Sequence, residues 1–157
     1  MGVNSTGFVG NFAAVLLRGL GSGFAEHSVD IFADQRVGKE KGPRVLVVDD
    51  EKLVADSLSA ILNRFNFNAA PFYSGESAIE AAREKCPDYV LSDVMMPKLN
   101  GVETVLMIKK FCPTARVILL SGHAATADLL NEARLKGYEF ELLAKPIHPD
   151  ELLRRLV

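Results

Sequence analysis

Five short, mostly apolar runs alternate with five amphipathic segments along the chain. The runs are Arg44–Val48, Asn68–Tyr73, Asp88–Asp93, Ala115–Leu120 and Glu139–Ala144. Short runs rich in valine, isoleucine and leucine are typical of strands that are buried on both faces. Strands that alternate with helices form a parallel sheet with right-handed crossovers, so the chain is predicted to fold as an α/β protein.

The amphipathic segments are the predicted helices. They are Leu53–Phe65, Glu76–Lys85, Gly101–Phe111, Ala124–Lys136 and a last helix that begins at Pro149. In the first, the apolar residues Leu53, Leu58, Ile61, Leu62 and Phe65 recur at helical spacing and predict one buried stripe. Ser74 predicts an N-cap for the second helix, and Gly137 predicts a stop for the fourth. Pro71 favours an edge position for the second strand.

Polar side chains stand where four of the predicted strands end. Asp49 and Asp50 follow the first strand, Asp93 ends the third, Ser121 follows the fourth and Lys145 follows the fifth. The carboxyl ends of parallel strands meet at one edge of the sheet, where open α/β sheets bind their ligands. We therefore expect these five residues to form one site.

The residue types in this set indicate phosphoryl chemistry. Three carboxylates repel one another and require a proton or a cation between them. Oxygen ligands suit Mg²⁺, while a hydroxyl and an ammonium group hold anionic oxygens. Simpler roles remain open for each residue: Asp49 as a helix cap, Ser121 as part of a turn, and Lys145 as a solvated strand end.

Charge and cysteine content exclude some classes of protein. The net charge of −2 and the lack of a basic cluster interleaved with aromatic residues argue against nucleic-acid binding. Cys86 and Cys112 lack the CxxC spacing of a metal site, and two cysteines are too few for a disulfide scaffold. We interpret both as reduced apolar residues near helix ends, which suits the cytosol.

The first 43 residues differ from the rest in composition. Phe8–Phe24 is apolar, but Arg18 and four glycines interrupt it, so it falls short of a membrane-spanning helix. No basic residue precedes this run, which argues against a secretory signal. We predict a flexible leader over residues 1–43 and a domain over 44–157, with the leader dispensable for the site. An interfacial helix or partner-binding segment is the alternative for the leader.

From Arg44 to Val157 the chain resembles the receiver domain of two-component response regulators. The motifs that carry the resemblance are VVDDE, LSDVMMPKLNG, ILLSG and LLAKP, in that order and at the predicted strand ends. The resemblance implies a flavodoxin-like, doubly wound five-stranded sheet with strand order 2-1-3-4-5 and five flanking helices.

The resemblance also implies roles in phosphoryl transfer. Asp93 would be the phosphoacceptor, attacking a phosphohistidine of a sensor histidine kinase or a histidine phosphotransfer protein. Ser121 and Lys145 would contact the phosphoryl group, and Ser121 would move toward it as the switch. His123 lies where it could reach the entrance of the site, although an ordinary loop histidine is the favoured interpretation.

The same resemblance implies a Mg²⁺ site. Asp50 and Asp93 would bind the ion directly, Asp49 would help through water, and Met95 would contribute its main-chain carbonyl. The side chains of Met95 and Met96 are expected to pack rather than to react. The metal and Lys145 would neutralise charge on the transferred group.

The function implied is a signalling switch that catalyses its own phosphorylation and dephosphorylation rather than an enzyme acting on a separate substrate. A pseudo-receiver that only binds proteins is the main alternative. A nucleotide-binding or phosphatase domain is disfavoured because its glycine-rich phosphate loop is missing. The chain ends in its last helix, so we expect a single-domain regulator, and the interpretation of both cysteines as reduced favours a cytoplasmic location. It would act through an unidentified protein target, without nucleic acid or membrane.

One position departs from the family pattern. Receivers usually carry tyrosine or phenylalanine three residues before the lysine, where this chain has Leu142. The nearest aromatic residue expected on the same strand face is Phe140. The sequence therefore predicts that coupling of phosphorylation to the last strand and its neighbouring helices is weak or passes through Phe140.

Overall fold

The computed structural model describes residues 42–122 and 126–157, which form a parallel sheet flanked by helices. The strands are β1 (Arg44–Val48), β2 (Asn68–Phe72), β3 (Tyr89–Asp93), β4 (Arg116–Ser121) and β5 (Glu141–Ala144). The helices are α1 (Lys52–Arg64), α2 (Gly75–Glu84), α3 (Gly101–Phe111), α4 (Thr126–Leu135) and α5 (Pro149–Leu156). The predicted alternation of strands and helices is confirmed.

The strand order is β2-β1-β3-β4-β5, and every neighbouring pair is parallel. This is the doubly wound, flavodoxin-like arrangement that the resemblance to receiver domains implies, and the expectation is confirmed. Pro71 lies in β2 at the edge of the sheet, where its missing N–H does not interrupt the hydrogen bonding between two strands. The register aligns Asp93 with Leu120 and Ser121 with Ala144, so the ends of β3, β4 and β5 are neighbours.

Two apolar clusters cover the two faces of the sheet. One contains Val90 and Leu119 beneath α2, α3 and α4, and the other contains Leu91 and Leu120 beneath α1 and α5. Consecutive residues of β3 and β4 thus contribute to opposite faces, which explains why these strands are apolar without alternation.

Polar caps fix the starts of two helices. Ser74 caps α2 as predicted, because its hydroxyl accepts a hydrogen bond from the Ser77 N–H at 3.2 Å. Asn100 and Glu103 form a reciprocal capping box at α3, with N···O distances of 2.9 and 3.0 Å. This second cap holds the start of α3 beside the loop that follows Asp93.

The predicted buried stripe of α1 is partly wrong. Leu53 is 79% exposed and Phe65 is 57% exposed, whereas Ala55, Leu58 and Leu62 are buried. The buried residues follow the spacing of three and four that defines one helix face, and Leu53 falls off that face. Phe65 lies beyond the last helical residue, so the helix does not direct its side chain into the core.

The fifth strand is shorter than predicted. It begins at Glu141 rather than Glu139, so Phe140 precedes it instead of lying within it. The predicted start of the fourth helix at Ala124 lies outside the described residues, as do His123 and residues 1–41. The leader and the domain boundary at Gly42–Pro43 therefore stay predictions. Among the residues that the structure describes, no helix is long and apolar enough to cross a membrane.

The prediction that both cysteines are reduced is wrong, because Cys86 and Cys112 form a disulfide. Cys86 follows α2 and Cys112 caps α3, and these two helices pack side by side on one face of the sheet. Their Cα atoms are 5.6 Å apart, within the range that a disulfide spans. The bond lies at the amino-terminal edge of the sheet, opposite the predicted site, and it removes the support that reduced cysteines gave to a cytosolic location.

Reduction of this disulfide should destabilise the domain. The bond closes a loop with a sequence separation of 26, and in the chain-entropy account a loop of this size contributes about 3.5 kcal/mol. We expect denaturant unfolding in the presence of a phosphine reductant to show a loss of this order. A Cys86→Ser variant should unfold like the reduced protein and respond little to the reductant; equal stability of oxidised and reduced protein would contradict the prediction.

Candidate functional site

The carboxylates of Asp49, Asp50 and Asp93 come together at the carboxyl edge of the sheet. One oxygen of each lies within 4.8 Å of the others. Asp49 and Asp93 are buried, whereas Asp50 is exposed and lines a cavity of about 340 Å³ together with Tyr73 and Lys98. An all-oxygen donor set with one solvent-facing member fits a hard cation that retains water ligands.

Lys145 joins two of these carboxylates. Its Nζ lies 2.9 Å from Asp49 Oδ2 and 3.4 Å from Asp93 Oδ1. Its main-chain N–H donates to the Ser121 carbonyl at 2.8 Å, which anchors the residue at the end of β5. The ammonium group is therefore paired with buried acids, and the alternative of a solvated strand end does not apply.

Asp49 uses both of its carboxylate oxygens within the protein. Oδ2 accepts from Lys145, and Oδ1 accepts from the Glu51 N–H at 2.9 Å. The second bond orders the turn just before α1. The N-cap of α1 is Glu51 and no side chain caps the helix, so the capping alternative for Asp49 is wrong.

Burial and charge shift two pKa values in the site. Burial raises the pKa of Asp93, and the negative charge of Asp49 adds to this effect, while the positive charge of Lys145 opposes it. Burial lowers the pKa of Lys145, but the hydrogen bond with Asp49 and the charges of Asp93 and Asp49 outweigh it and raise that pKa overall. Lys145 thus stays protonated, while the three carboxylates leave an excess of negative charge that favours a cation.

Ser121 is the last residue of β4 and is buried. It follows Leu120, the register partner of Asp93, and a Cβ added to the next residue, Gly122, would lie 3.8 Å from the Cβ of Lys145. The Ser121 hydroxyl is hydrogen-bonded to the hydroxyl of Thr126, which is also buried. The sequence did not point to Thr126, because no local pattern shows that the start of α4 contacts the end of β4.

Met95 and Met96 follow Asp93 in the loop. The Met95 side chain is half-exposed and Met96 is buried against the core of one sheet face. The main-chain N–H of Met95 hydrogen-bonds to the Asp93 carboxylate, which favours its charged form. The role of the Met95 carbonyl as a metal ligand stays a prediction, as do the roles of the other site residues in phosphoryl transfer.

Gly101 allows α3 to begin directly beside the backbone of Asp93, a role that the sequence pattern did not predict. Its N–H donates to the Val94 carbonyl at 2.9 Å. A Cβ at this position would lie 1.9 Å from the carbonyl oxygen of Asp93 and 2.7 Å from its carbonyl carbon. Because these are backbone atoms, only glycine lets α3 pass so close to Asp93.

A Gly101→Ala substitution should therefore displace the backbone of Asp93. We expect a loss of stability of about 1 to 3 kcal/mol, as for other overpacked sites, and slower phosphorylation of Asp93. Gly137→Ala is the matched control: Gly137 has a φ of 86° but open space around it, so alanine there strains only a remote turn. The prediction fails if both variants are labelled at the same rate.

Together, these features define a doubly wound α/β protein with an acidic, lysine-paired site at the carboxyl edge of its sheet. The family described as the response regulator receiver domain matches residues 45–157. The chain belongs to this family.

Curated relatives include regulatory proteins of mycobacteria. The probable transcriptional regulatory protein TcrX of Mycobacterium tuberculosis is 34% identical over 112 residues, which cover 71% of this chain and 47% of TcrX. The DNA-binding response regulator MtrA of Mycolicibacterium paratuberculosis is 32% identical over 113 residues, covering 72% and 49% respectively. The chain spans about half the length of these relatives.

Solved structures agree with the fold. A response regulator receiver domain protein of Clostridium thermocellum has a TM-score of 0.63 and 30% identity, covering 70% of this chain and 87% of that one. The chemotaxis protein CheY4 of Vibrio cholerae has a TM-score of 0.64 and 24% identity, covering 73% and 96%. The second comparison supports the fold alone.

Proposed function

We propose that this protein is a phosphoacceptor switch in which Asp93 takes a phosphoryl group from a phosphohistidine. The donor would be a sensor histidine kinase or a histidine phosphotransfer protein. The observation that carries the proposal is the meeting of three carboxylates within 4.8 Å, two of them paired with Lys145. Clustered carboxylates favour a divalent cation, and a bound cation together with Lys145 would attract an anionic substrate.

In the proposed reaction an oxygen of Asp93 attacks the phosphorus, and the bond from phosphorus to the imidazole nitrogen of the donor breaks. Burial of Asp93 removes water that would otherwise solvate the nucleophile. The Nζ of Lys145, 3.4 Å from Asp93 Oδ1, would stabilise the negative charge that develops on the phosphoryl oxygens. Ser121 would donate to another of these oxygens.

Mg²⁺ is the cofactor that the donor set fits, and it would neutralise charge on the transferred group. Asp49 already binds Lys145 and the Glu51 N–H, so we propose that it acts through water. Asp50 is exposed beside an open cavity and would bind the ion directly with Asp93 and the Met95 carbonyl. An exposed ligand leaves room for the waters that Mg²⁺ retains.

Labelling with acetyl phosphate tests the proposal without knowledge of the partner kinase. We expect an acid-stable, base-labile acyl phosphate that appears with Mg²⁺ and is absent with a chelator. Lack of labelling by acetyl phosphate and by a panel of phosphorylated histidine kinases would instead identify a pseudo-receiver that acts only by binding proteins.

The proposal includes an output through protein contact and a cytoplasmic location. DNA binding is stated for the relative MtrA, and the net charge of −2 gives this chain no general attraction to nucleic acid. In a reducing cytosol Cys86 and Cys112 would be present as thiols. The site lies at the opposite edge of the sheet from the cysteines, so phosphorylation is proposed to occur in either redox form.

A further inference from the structure

The hydrogen bond between Ser121 and Thr126 joins the predicted switch residue to a helix. Ser121 ends β4, and Thr126 begins α4. Both residues are buried, and either hydroxyl could be the donor. A buried hydrogen bond between a strand and a helix stabilises the arrangement in which it forms. That stabilisation is lost in an arrangement in which the bond is broken.

Movement of Ser121 toward a phosphoryl group on Asp93 would compete with this bond. The Ser121 hydroxyl has a single proton, so donation to a phosphoryl oxygen cannot coincide with donation to Thr126. A displacement of its oxygen away from α4 would also lengthen the contact to Thr126. Phosphorylation and the Ser121–Thr126 bond are therefore coupled through one side chain.

The alternative route through an aromatic residue is weakly supported by the structure. Leu142, at the position of the usual aromatic residue, is 40% exposed and offers no hydroxyl. Phe140 stacks on Tyr138 with ring centroids 5.9 Å apart, and both pack against the core. Phe140 precedes β5, whereas Lys145 follows it, so about 16 Å of extended chain separates Phe140 from Lys145 at the site edge.

We propose that Thr126 is the positioning residue of this switch. In the unphosphorylated protein its hydroxyl holds Ser121 against α4, and its release on phosphorylation transmits the signal to the first turn of that helix. This inference rests on the proposed function, since it requires a phosphoryl group on Asp93.

Thr126→Val is the decisive variant, because valine keeps the branched shape and lacks the hydroxyl. Amide hydrogen exchange of α4 would be measured in the presence of Mg²⁺, with and without beryllofluoride as a phosphoryl mimic. In the wild type we expect beryllofluoride to speed exchange in the first turn of α4 about fivefold, the factor that one hydrogen bond of about 1 kcal/mol supports. In Thr126→Val exchange should already be fast, and beryllofluoride should change it little.

Two further variants separate the hydroxyl from general destabilisation. Thr126→Ser retains the hydroxyl and should restore the wild-type response. Thr104→Val removes another buried helix hydroxyl, one that donates to the Asn100 carbonyl at 2.8 Å, and should leave the α4 response intact. If Thr126→Val does not fold, Ser121→Ala breaks the same bond from the other side and should give the same fast exchange without beryllofluoride.

Acetyl phosphate labelling of the same samples distinguishes a failure of the proposed role of Thr126 from a failure of the proposed phosphoacceptor function. A wild-type protein that is labelled but shows no exchange change in α4 would overturn the role of Thr126 and leave the phosphoacceptor function standing. A full wild-type response to beryllofluoride in Thr126→Val would also overturn the proposed role of Thr126. A protein that cannot be labelled at all would overturn the proposed function and this inference with it.

Discussion

An Asp93→Asn variant should take up no phosphoryl group from acetyl phosphate or from a histidine kinase. Asparagine matches aspartate in shape, and its side-chain oxygen can still accept the hydrogen bond from the Met95 N–H. It lacks the anionic oxygen that attacks phosphorus, so the effect is a loss of the nucleophile rather than of the fold. Phosphate-affinity gels and intact mass spectrometry would measure the loss.

The neighbouring carboxylates make this test specific. Asp50 is exposed and one of its carboxylate oxygens lies within 4.8 Å of an Asp93 oxygen, whereas Asp49 is buried, so Asp50 is the main competitor among the three clustered acids. Labelling of Asp93→Asn at the wild-type rate would assign the acceptor role elsewhere, and mapping the modified peptide would show where. Label on Asp50 would contradict the proposal that Asp50 binds the metal and that Asp93 is the nucleophile.

Stability against pH gives an independent readout of the same variant. The folded-state pKa of Asp93 is raised above 3.8, so the protonated form favours the folded state. This contribution is present at low pH and is lost as pH rises from the unfolded-state value through the raised folded-state value. The asparagine that replaces Asp93 does not titrate, so the stability of the variant relative to wild type should increase across that window in metal-free buffer.

Local pattern was enough to predict the sheet and the place of the site. The apolar runs had to be buried on both faces, which predicts a parallel sheet covered by helices, whereas the doubly wound strand order was implied by the resemblance to receiver domains. Asp49, Asp93 and Lys145 then follow from topology, because parallel strands end at one edge. Neither inference required knowledge of which helices touch.

What could not be predicted depends on contacts between separate elements. Cys86 and Cys112 are bonded because α2 and α3 lie side by side, which their sequence spacing does not show. Gly101 matters because α3 starts against the Asp93 backbone, and a lone glycine at a helix start has many ordinary explanations. Thr126 matters because its hydroxyl is hydrogen-bonded to Ser121, and a threonine at a helix start has many ordinary explanations.

Replacement of Asp50 by asparagine should remove Mg²⁺ binding and with it phosphorylation at ordinary metal concentrations. A hard cation depends on the charge of its ligands, and Asp50 is the cluster carboxylate that is exposed to solvent. Glu51→Gln is the matched control. It removes one acidic charge from the adjacent exposed residue and keeps the main-chain N–H that binds Asp49.

Thermal unfolding with and without Mg²⁺ would show the effect as a reversal in the order of stability of the wild type and Asp50→Asn. Without metal, Asp50→Asn should be at least as stable as wild type, because it relieves repulsion among carboxylates within 4.8 Å. At a hundred times its dissociation constant, Mg²⁺ should stabilise wild type and Glu51→Gln by about 2.7 kcal/mol, since it binds only the folded state. The Asp50→Asn variant should gain little from the same concentration. An equal metal-dependent shift in all three proteins would place the ion away from Asp50 and would leave the repulsion of the cluster to be balanced by Lys145 alone.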